Sequence, residues 1–224
     1  MKRVVVTGIG MVTALGQDVP TNWDNLVKGQ SGAGLITRFD ASKFKTQFAC
    51  EVKGLDVESI FDRKEARRYD RYIHFAVYSA EEAMRDARID MTQENAYRCG
   101  VIYGSGMGGI NTLDMNIGAF GAGDGTPRYS PFYIPMAITS MAAGMLAIRY
   151  GFKGVNYATT SACASSSHAI ANAYYQIRMG LADVMLSGGS EAAVECSGIG
   201  GFNALHALST RNDAPQTASR PFSA

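Results

Sequence analysis

The chain has 224 residues, with 21 Lys and Arg against 20 Asp and Glu, and its net charge of +1 provides no general attraction to nucleic acid or to a membrane surface. Its four cysteines lack CxxC spacing, which disfavours a zinc site and a disulfide framework, so we expect no metal, and we also expect no cofactor. No run of 18 apolar residues and no apolar leader is present, and we expect a protein of the reducing cytoplasm. A hydrophobic content of 46% with 25 glycines favours helices packed closely on a sheet.

The first part of the chain predicts a strand, two helices and a connecting segment between them. Residues 2–7 are typical of a buried strand, and residues 21–28 of a short helix after Pro20. Residues 34–54 predict a connecting segment with short strands. The apolar stripe within residues 65–87 predicts one long helix, with His74 beside the stripe as a partly covered structural residue.

The second part predicts three further strands at residues 99–103, 155–160 and 183–187. A helix is predicted from about residue 139 to residue 150, and another helical region at residues 197–208. Between the last two strands, a helix is predicted to begin at Cys163 and to end near Gly180, since glycine is the preferred residue just past a helix end.

Cys163 is a candidate nucleophile because small residues surround it where a strand turns into a helix. A thiol in the first turn of a helix loses its proton more easily, as a nucleophile requires. The alternative is a small buried packing residue, the commonest role of a free cysteine. His168 lies about 140° around the helix from Cys163, which makes it a poor general base and a better packing or hydrogen-bonding residue, while Ser166 and Ser167 share the cysteine's face.

Three glycines after the strand at residues 99–103 spell GxGxxG, namely Gly104, Gly106 and Gly109. Asp124 follows about 20 residues later, so a dinucleotide site is an alternative that the pattern itself raises. Residues 111–125 lack the second strand that such a unit requires. The pattern therefore argues against a dinucleotide site.

Five motifs carry a resemblance to a known family: KRVVVTGIGMVTALG at residues 2–16, GSGMGGI at 104–110, TSACASSSHAI at 160–170, SGGSEA at 187–192 and GGFNALHALSTRNDAPQTASRPF at 200–222. In this order they resemble the β-ketoacyl-acyl carrier protein synthases, the type II condensing enzymes. The resemblance implies an α/β, thiolase-like fold built from two βαβαβαββ halves. Residues 1–224 would then be a truncated N-terminal synthase domain, lacking the last strand of the first half and the whole second half with its catalytic histidines and lysine.

The resemblance also implies the chemistry. Cys163 would accept an acyl group as a thioester, and its backbone N–H would be one oxyanion donor. Malonyl-acyl carrier protein would then lose carbon dioxide and condense with that thioester. His74 and His206 do not match the family's catalytic histidines.

The remaining residue roles are likewise implied by the resemblance. Met107, Tyr133 and Phe202 would line the acyl pocket, although each would otherwise be read as ordinary core. The acidic acyl carrier protein would dock on four basic residues that would otherwise be a solvated face: Lys64, Arg67, Arg68 and Arg128. His206 stands where close relatives have an arginine of that surface. The resemblance implies a homodimer and no nucleic-acid or membrane partner.

Three functions remain open at this point. The chain is the N-terminal part of an active elongating synthase, or it is a non-catalytic fragment or assembly module with an unpaired sheet edge. The third function is a thiolase-like acyltransferase that uses coenzyme A, against which the SRPF and LSTRND runs argue.

Overall fold

The computed structural model describes residues 2–222, and these residues form two compact units. The first unit contains the chain up to residue 10 together with residues 56–192, and the second contains residues 11–55 and the chain from residue 193 onward. We describe each unit by itself.

The helices and strands of the described residues are, in chain order, α1 (Val19–Val27), β1 (Ala33–Leu35), β2 (Phe48–Cys50), α2 (Arg63–Ala66), α3 (Arg71–Ala87), β3 (Cys99–Gly104), α4 (Ile110–Ala122), α5 (Tyr133–Ala137), α6 (Met141–Tyr150), β4 (Asn156–Thr159), α7 (Ser165–Arg178), β5 (Val184–Gly189) and α8 (Cys196–Ala204). The predicted elements at residues 21–28, 99–103, 155–160, 183–187 and 197–208 are confirmed to within a few residues. The short strands expected within residues 34–54 are β1 and β2. The helix expected after residue 139 is α6, and a further short helix, α5, precedes it.

A three-stranded parallel sheet forms the centre of the first unit, in the order β4-β3-β5. Ile102 of β3 packs against Ala169 and Ala173 of α7 on one face. Since side chains alternate along a strand, the next residue, Tyr103, faces the opposite side, where its hydroxyl interacts with Ser79 of α3. Helices thus cover both faces, which parallel strands require because their connections cross over the sheet.

The buried strand predicted at residues 2–7 is wrong. The segment forms no strand, and Val5 and Val6 in its middle are 57% and 79% exposed. It lies along one side of a cleft of about 480 Å³ whose other side includes β5, and among the described residues β5 pairs only with β3. A segment whose composition favours a strand does not form one when no neighbouring strand supplies hydrogen bonds.

The single long helix predicted at residues 65–87 is also wrong, because it divides into α2 and α3 at Asp70. Asp70 is 1% exposed and caps α3 by accepting the N–H of Tyr72. Its second oxygen accepts the N–H and the hydroxyl of Thr112 on α4, at 2.8 and 2.6 Å. A buried carboxylate with three donors makes Asp70 the start of α3 and ties this helix to α4.

The second unit contains α1, α8 and the antiparallel pair β1-β2. Asp18 caps α1 by accepting the N–H of Thr21, and Pro20 occupies its first turn. The loop before β2 is tied to α8 because Thr46 donates its N–H to the side chain of Asn203, at 3.1 Å. The bond between Thr46 and Asn203 joins segments that are 157 positions apart in the sequence.

Gly10 provides a test of the packing in the first unit. A Cβ atom at this position would lie 1.8 Å from the carbonyl oxygen of Ser79, whereas a Cβ at Gly118 on α4 would contact nothing within 4 Å. We therefore predict that Gly10→Ala lowers the free energy of unfolding by about 1–3 kcal/mol. The control Gly118→Ala should be neutral or raise it by up to about 1 kcal/mol, because alanine favours a helix. Urea unfolding of both variants measures the difference, and equal midpoints would contradict this packing.

Candidate active site

The three parallel strands of the first unit end together at one edge of the sheet. Gly104, the last residue of β3, is in register with Thr159 of β4 and with Gly189 of β5. Three loops therefore leave the sheet side by side: residues 105–109, 160–164 and 190–192. This carboxyl edge is where α/β sheets commonly bind ligands, and the second of the loops carries Cys163.

Cys163 lies in one turn of 3-10 helix, Ala162–Ala164, directly before α7. Our prediction that it lies within the first turn of the α-helix is wrong by two residues. Ala162 has a left-handed backbone with φ of 51°, which delays the start of the α-helix and costs about 1–2 kcal/mol for a residue with a Cβ. The thiol of Cys163 is exposed, so the alternative of a buried packing cysteine is wrong.

Ser165 holds this turn from the inside. Its side chain is buried, and its hydroxyl donates to the carbonyl of Ala162 at 2.7 Å while accepting the N–H of Ser161 at 2.9 Å. The hydroxyl of Thr159, at the end of β4, donates to the carbonyl of Ser165 at 2.8 Å. These bonds connect the strand end, the turn and the helix start, and they offset the strain at Ala162.

Two glycines allow the start of α7 to pack directly on the sheet. A Cβ at Gly104 would lie 2.5 Å from the carbonyl carbon of Ser165, and a Cβ at Gly189 would lie 2.0 Å from the hydroxyl oxygen of Ser166. Atoms do not approach so closely, so both strand ends require glycine. The small residues at this helix start and at the strand ends permit this close approach of backbone.

His168 is a hydrogen-bonding residue, as predicted, and its partner is Ser161. Its ring nitrogen Nδ1 lies 2.7 Å from the hydroxyl oxygen of Ser161, on the outer side of the turn. Ser161 is thus held by its side chain to His168 and by its N–H to Ser165. The imidazole therefore helps to hold the turn through Ser161.

The glycine-rich loop at residues 105–109 is held by a carboxylate. Glu191 accepts the N–H of Gly106 at 2.7 Å and that of Met107 at 3.1 Å on one oxygen, and the hydroxyl of Ser105 at 3.3 Å on the other. In a dinucleotide site such N–H groups would bind phosphate. Because Glu191 takes them and α4 follows where a second strand would be needed, the structure argues against a dinucleotide site here.

The predicted acyl-pocket residues divide between the two units. Met107 is half-buried in the glycine-rich loop, which packs on the end of α5, where Gly109 donates its N–H to Ala137 at 3.1 Å. Tyr133 is the half-buried first residue of α5. Met107 and Tyr133 therefore belong to neighbouring segments of the first unit. Phe202 lies on α8 of the second unit and is partly exposed.

Three of the predicted docking residues lie on or just after α2. Lys64 and Arg67 are exposed and form no ion pair within residues 2–222, and the guanidinium of Arg68 stacks over the ring of Phe132 at 5.1 Å. That contact places the end of α2 beside the segment that carries Arg128. Arg128 itself is exposed and paired with Asp124 at 3.0 Å, so it is partly neutralised.

The other two histidines lie outside the nucleophile turn. His74 is a partly covered structural residue, as predicted: its Nε2 lies 2.9 Å from the carbonyl oxygen of Ala66 and its ring packs on Phe61. Burial lowers the pKa of the His74 imidazole, and the hydrogen bond to Ala66 opposes this shift only in part. His206 follows α8 in the second unit, is exposed and has a left-handed backbone with φ of 55°.

Within residues 2–222 no three His, Cys, Asp or Glu side chains are grouped as metal ligands. In the same part of the chain, every helix is too short or too polar to cross a bilayer.

Ser165 and Glu191 are the residues that sequence reasoning missed. Each anchors its loop through partners from other parts of the chain, and hydroxyl and carboxyl groups at such positions have no pattern of their own. The available signal for Glu191 was a single carboxylate in a run of small residues shortly after a predicted strand.

The bonds of Ser165 provide a second test. Ser165→Ala leaves the N–H of Ser161 and the carbonyl of Ala162 without this partner, and we predict a loss of about 1–2 kcal/mol in the free energy of unfolding. Ser167→Ala, at an exposed position of the same helix, should change it by no more than about 0.5 kcal/mol. Denaturant unfolding compares the two, and a Ser165→Ala variant as stable as Ser167→Ala would refute the role of this hydroxyl.

Comparison with known proteins identifies the family. The family model described as "Beta-ketoacyl synthase, N-terminal domain" matches residues 1–224. A curated relative named 3-oxoacyl-[acyl-carrier-protein] synthase 2, from Synechocystis sp., is 45% identical over 221 residues, which are 99% of this chain and 53% of the relative. The chain thus spans about half the length of the curated relatives it matches.

Solved structures show the same fold. A β-ketoacyl synthase from Burkholderia phymatum matches all of this chain and 55% of its own, with a TM-score of 0.86 and 34% identity. A type II polyketide ketosynthase in complex with its acyl carrier protein matches 90% of this chain and 54% of its own, with a TM-score of 0.72 and 22% identity, which shows the fold alone. The predicted α/β, thiolase-like fold is confirmed. Since the family model spans the whole sequence, the chain belongs to the β-ketoacyl synthases, as their N-terminal domain.

Proposed function

We propose that residues 1–224 form the N-terminal domain of a 3-oxoacyl-[acyl-carrier-protein] synthase, in which Cys163 is the nucleophile. The observation that carries this proposal is an exposed thiol on a strained, hydrogen-bonded turn at the carboxyl edge of a parallel sheet. The relationship to proteins named as such synthases supplies the reaction class.

In the proposed first step, the sulfur of Cys163 attacks the carbonyl carbon of an acyl thioester. The carbonyl oxygen becomes an oxyanion, which the backbone N–H of Cys163 helps to stabilise, because N–H groups at a helix start have no acceptor within the helix. The bond to the sulfur of the carrier protein then breaks, and that thiolate takes up a proton. The acyl group remains on Cys163 as a thioester.

In the proposed second step, a malonyl thioester loses carbon dioxide, and the electron pair released forms a new carbon–carbon bond at the acyl carbonyl. The sulfur of Cys163 leaves again as a thiolate. Within the first unit, Met107 and Tyr133 are proposed to contact the acyl chain near this sulfur.

We further propose acyl carrier protein as the partner that delivers both substrates. The solved complex of a related fold with its acyl carrier protein supports this class of partner. The unpaired charges of Lys64 and Arg67 suit an acidic surface, with Arg68 and Arg128 beside them. Within residues 2–222 the outer edge of β4 pairs with no strand, which is consistent with a homodimer. We also propose the cytoplasm as the location of the protein.

The proposed nucleophile is tested by acyl loading. We predict that incubation with a fatty acyl-acyl carrier protein adds one acyl group to the intact mass, and that peptide mapping places it on Cys163. Cys163→Ala should abolish the adduct, whereas Cys50→Ala and Cys196→Ala, at the other exposed cysteines, should leave it unchanged. An adduct on Cys50 or Cys196, or none, would overturn the proposal. Loading from acyl-coenzyme A but not from the carrier protein would favour the thiolase-like alternative.

The proposed docking surface is tested by charge reversal. We predict that Lys64→Glu combined with Arg67→Glu slows loading from acyl-acyl carrier protein by about tenfold or more at low salt, because two attractive contacts become repulsive. The control Lys43→Glu reverses an exposed charge in the second unit and should have little effect. Alkylation of Cys163 by iodoacetamide should be the same in all three proteins. Equal loading rates for the double variant and the control would exclude this surface.

A further inference from the structure

We propose that Glu191 is a positioning residue that fixes Met107, and thereby sets which acyl chain lengths are loaded onto Cys163. The inference rests on the proposed function, which it deepens by assigning selectivity to a residue outside the proposed acyl pocket.

The first support is that one carboxylate anchors nearly the whole glycine-rich loop. Glu191 binds the N–H groups of Gly106 and Met107 and the hydroxyl of Ser105. Ser105, which is buried, in turn accepts the N–H of Gly108 at 3.1 Å. Four consecutive residues thus depend on the carboxylate of Glu191, three directly and one through Ser105.

The second support is that this loop has little conformational preference of its own. Glycine stands on both sides of Met107, and Gly108 has a left-handed backbone with φ of 62°. Glycine backbones are free to take many conformations, so an external anchor is needed to hold the methionine in one place. Among the described residues, the N–H groups of Gly106 and Met107 have no hydrogen-bond acceptor other than Glu191.

The third support is the place of the loop between the nucleophile turn and α5. A Cβ at Gly106 would lie 3.0 Å from the carboxylate of Glu191 and 3.6 Å from the carbonyl oxygen of Ala162. The far end of the loop is bonded to Ala137, the last residue of α5. A shift of this loop would therefore move Met107 relative to both the thiol-bearing turn and the helix that begins with Tyr133.

Charge distinguishes this anchor from an ordinary ion pair. Within residues 2–222 no Lys, Arg or His lies within ion-pair distance of Glu191, and its donors are all neutral. Replacing the carboxylate by an amide keeps an acceptor for the two N–H groups and places an NH₂ group toward Ser105, whose hydroxyl can accept. Glu191→Gln should therefore preserve the loop, while Glu191→Ala removes every anchoring bond.

The test combines loading rates with hydrogen exchange. Rates of acyl transfer to Cys163 are measured with acyl carrier protein thioesters of short, medium and long chains, for the wild type, Glu191→Ala, Glu191→Gln and the control Glu94→Ala, which removes an exposed carboxylate elsewhere in the first unit. We expect Glu191→Ala to change the ratio of long-chain to short-chain rates by about fivefold, in keeping with the loss of hydrogen bonds to a charged acceptor. Glu191→Gln and Glu94→Ala should retain the wild-type ratio.

A double variant shows whether Glu191 acts through Met107. Met107→Ala alone should change the chain-length ratio, and adding Glu191→Ala to it should change the ratio no further. Independent, additive changes would show that Glu191 acts by another route and would overturn the proposal. Alkylation of Cys163 by iodoacetamide should be similar in all variants, since the nucleophile turn has its own hydrogen bonds.

Hydrogen exchange separates failure of this inference from failure of the proposed function. The N–H groups of Gly106 and Met107 should exchange about fivefold faster in Glu191→Ala than in the wild type, and at the wild-type rate in Glu94→Ala. Unchanged exchange overturns the positioning role whatever the loading assay gives. If Glu191→Ala exchanges faster but the wild type loads no acyl group, the proposed function is overturned, and the selectivity role with it.

Discussion

The direct contact between the start of α7 and the ends of β3 and β5 determines the geometry of the candidate site. Gly104 and Gly189 have no Cβ, so the first residues of the helix lie against the strand backbone. The chain must then turn from β4 into the helix within very few residues, which is achieved by the left-handed Ala162 and the hydrogen bonds of Ser165. The exposure of Cys163 follows from this backbone packing and not from helix propensity.

Local patterns predicted the three strands of this sheet because each is a short run rich in apolar or β-branched residues. They failed where a distant partner decides the structure. The segment at residues 2–7 has the composition of a strand, but among the described residues it pairs with no strand and faces β5 only across a cleft. The stripe across residues 65–87 is continuous, yet the helix breaks at Asp70, whose carboxylate binds Thr112, 42 positions away in the sequence. Sequence periodicity reports which face is apolar and carries no information about such a partner.

The candidate site was predictable in part for the same reason. Cys163 could be located from the transition between strand and helix, and the family resemblance supplied the proposed acyl-pocket and docking residues. The 3-10 turn was not predictable, because it results from the contact of α7 with Gly104 and Gly189. Glu191 was not predictable either, since the register of β3 with β5 brings it to the glycine-rich loop.

The proposed docking surface carries basic side chains, whereas the candidate site carries the acidic side chain of Glu191. The net charge of +1 gives the chain little long-range field, so any steering of a partner must come from local groups such as the exposed Lys64 on α2 and Arg67 just after it. At the carboxyl edge of the sheet, by contrast, Glu191 takes the N–H groups that could bind phosphate and adds a negative charge. In the proposed function, an acidic carrier is held by basic residues on and just after α2, while the acyl thioester reaches a sheet edge whose loop N–H groups are already bonded to Glu191.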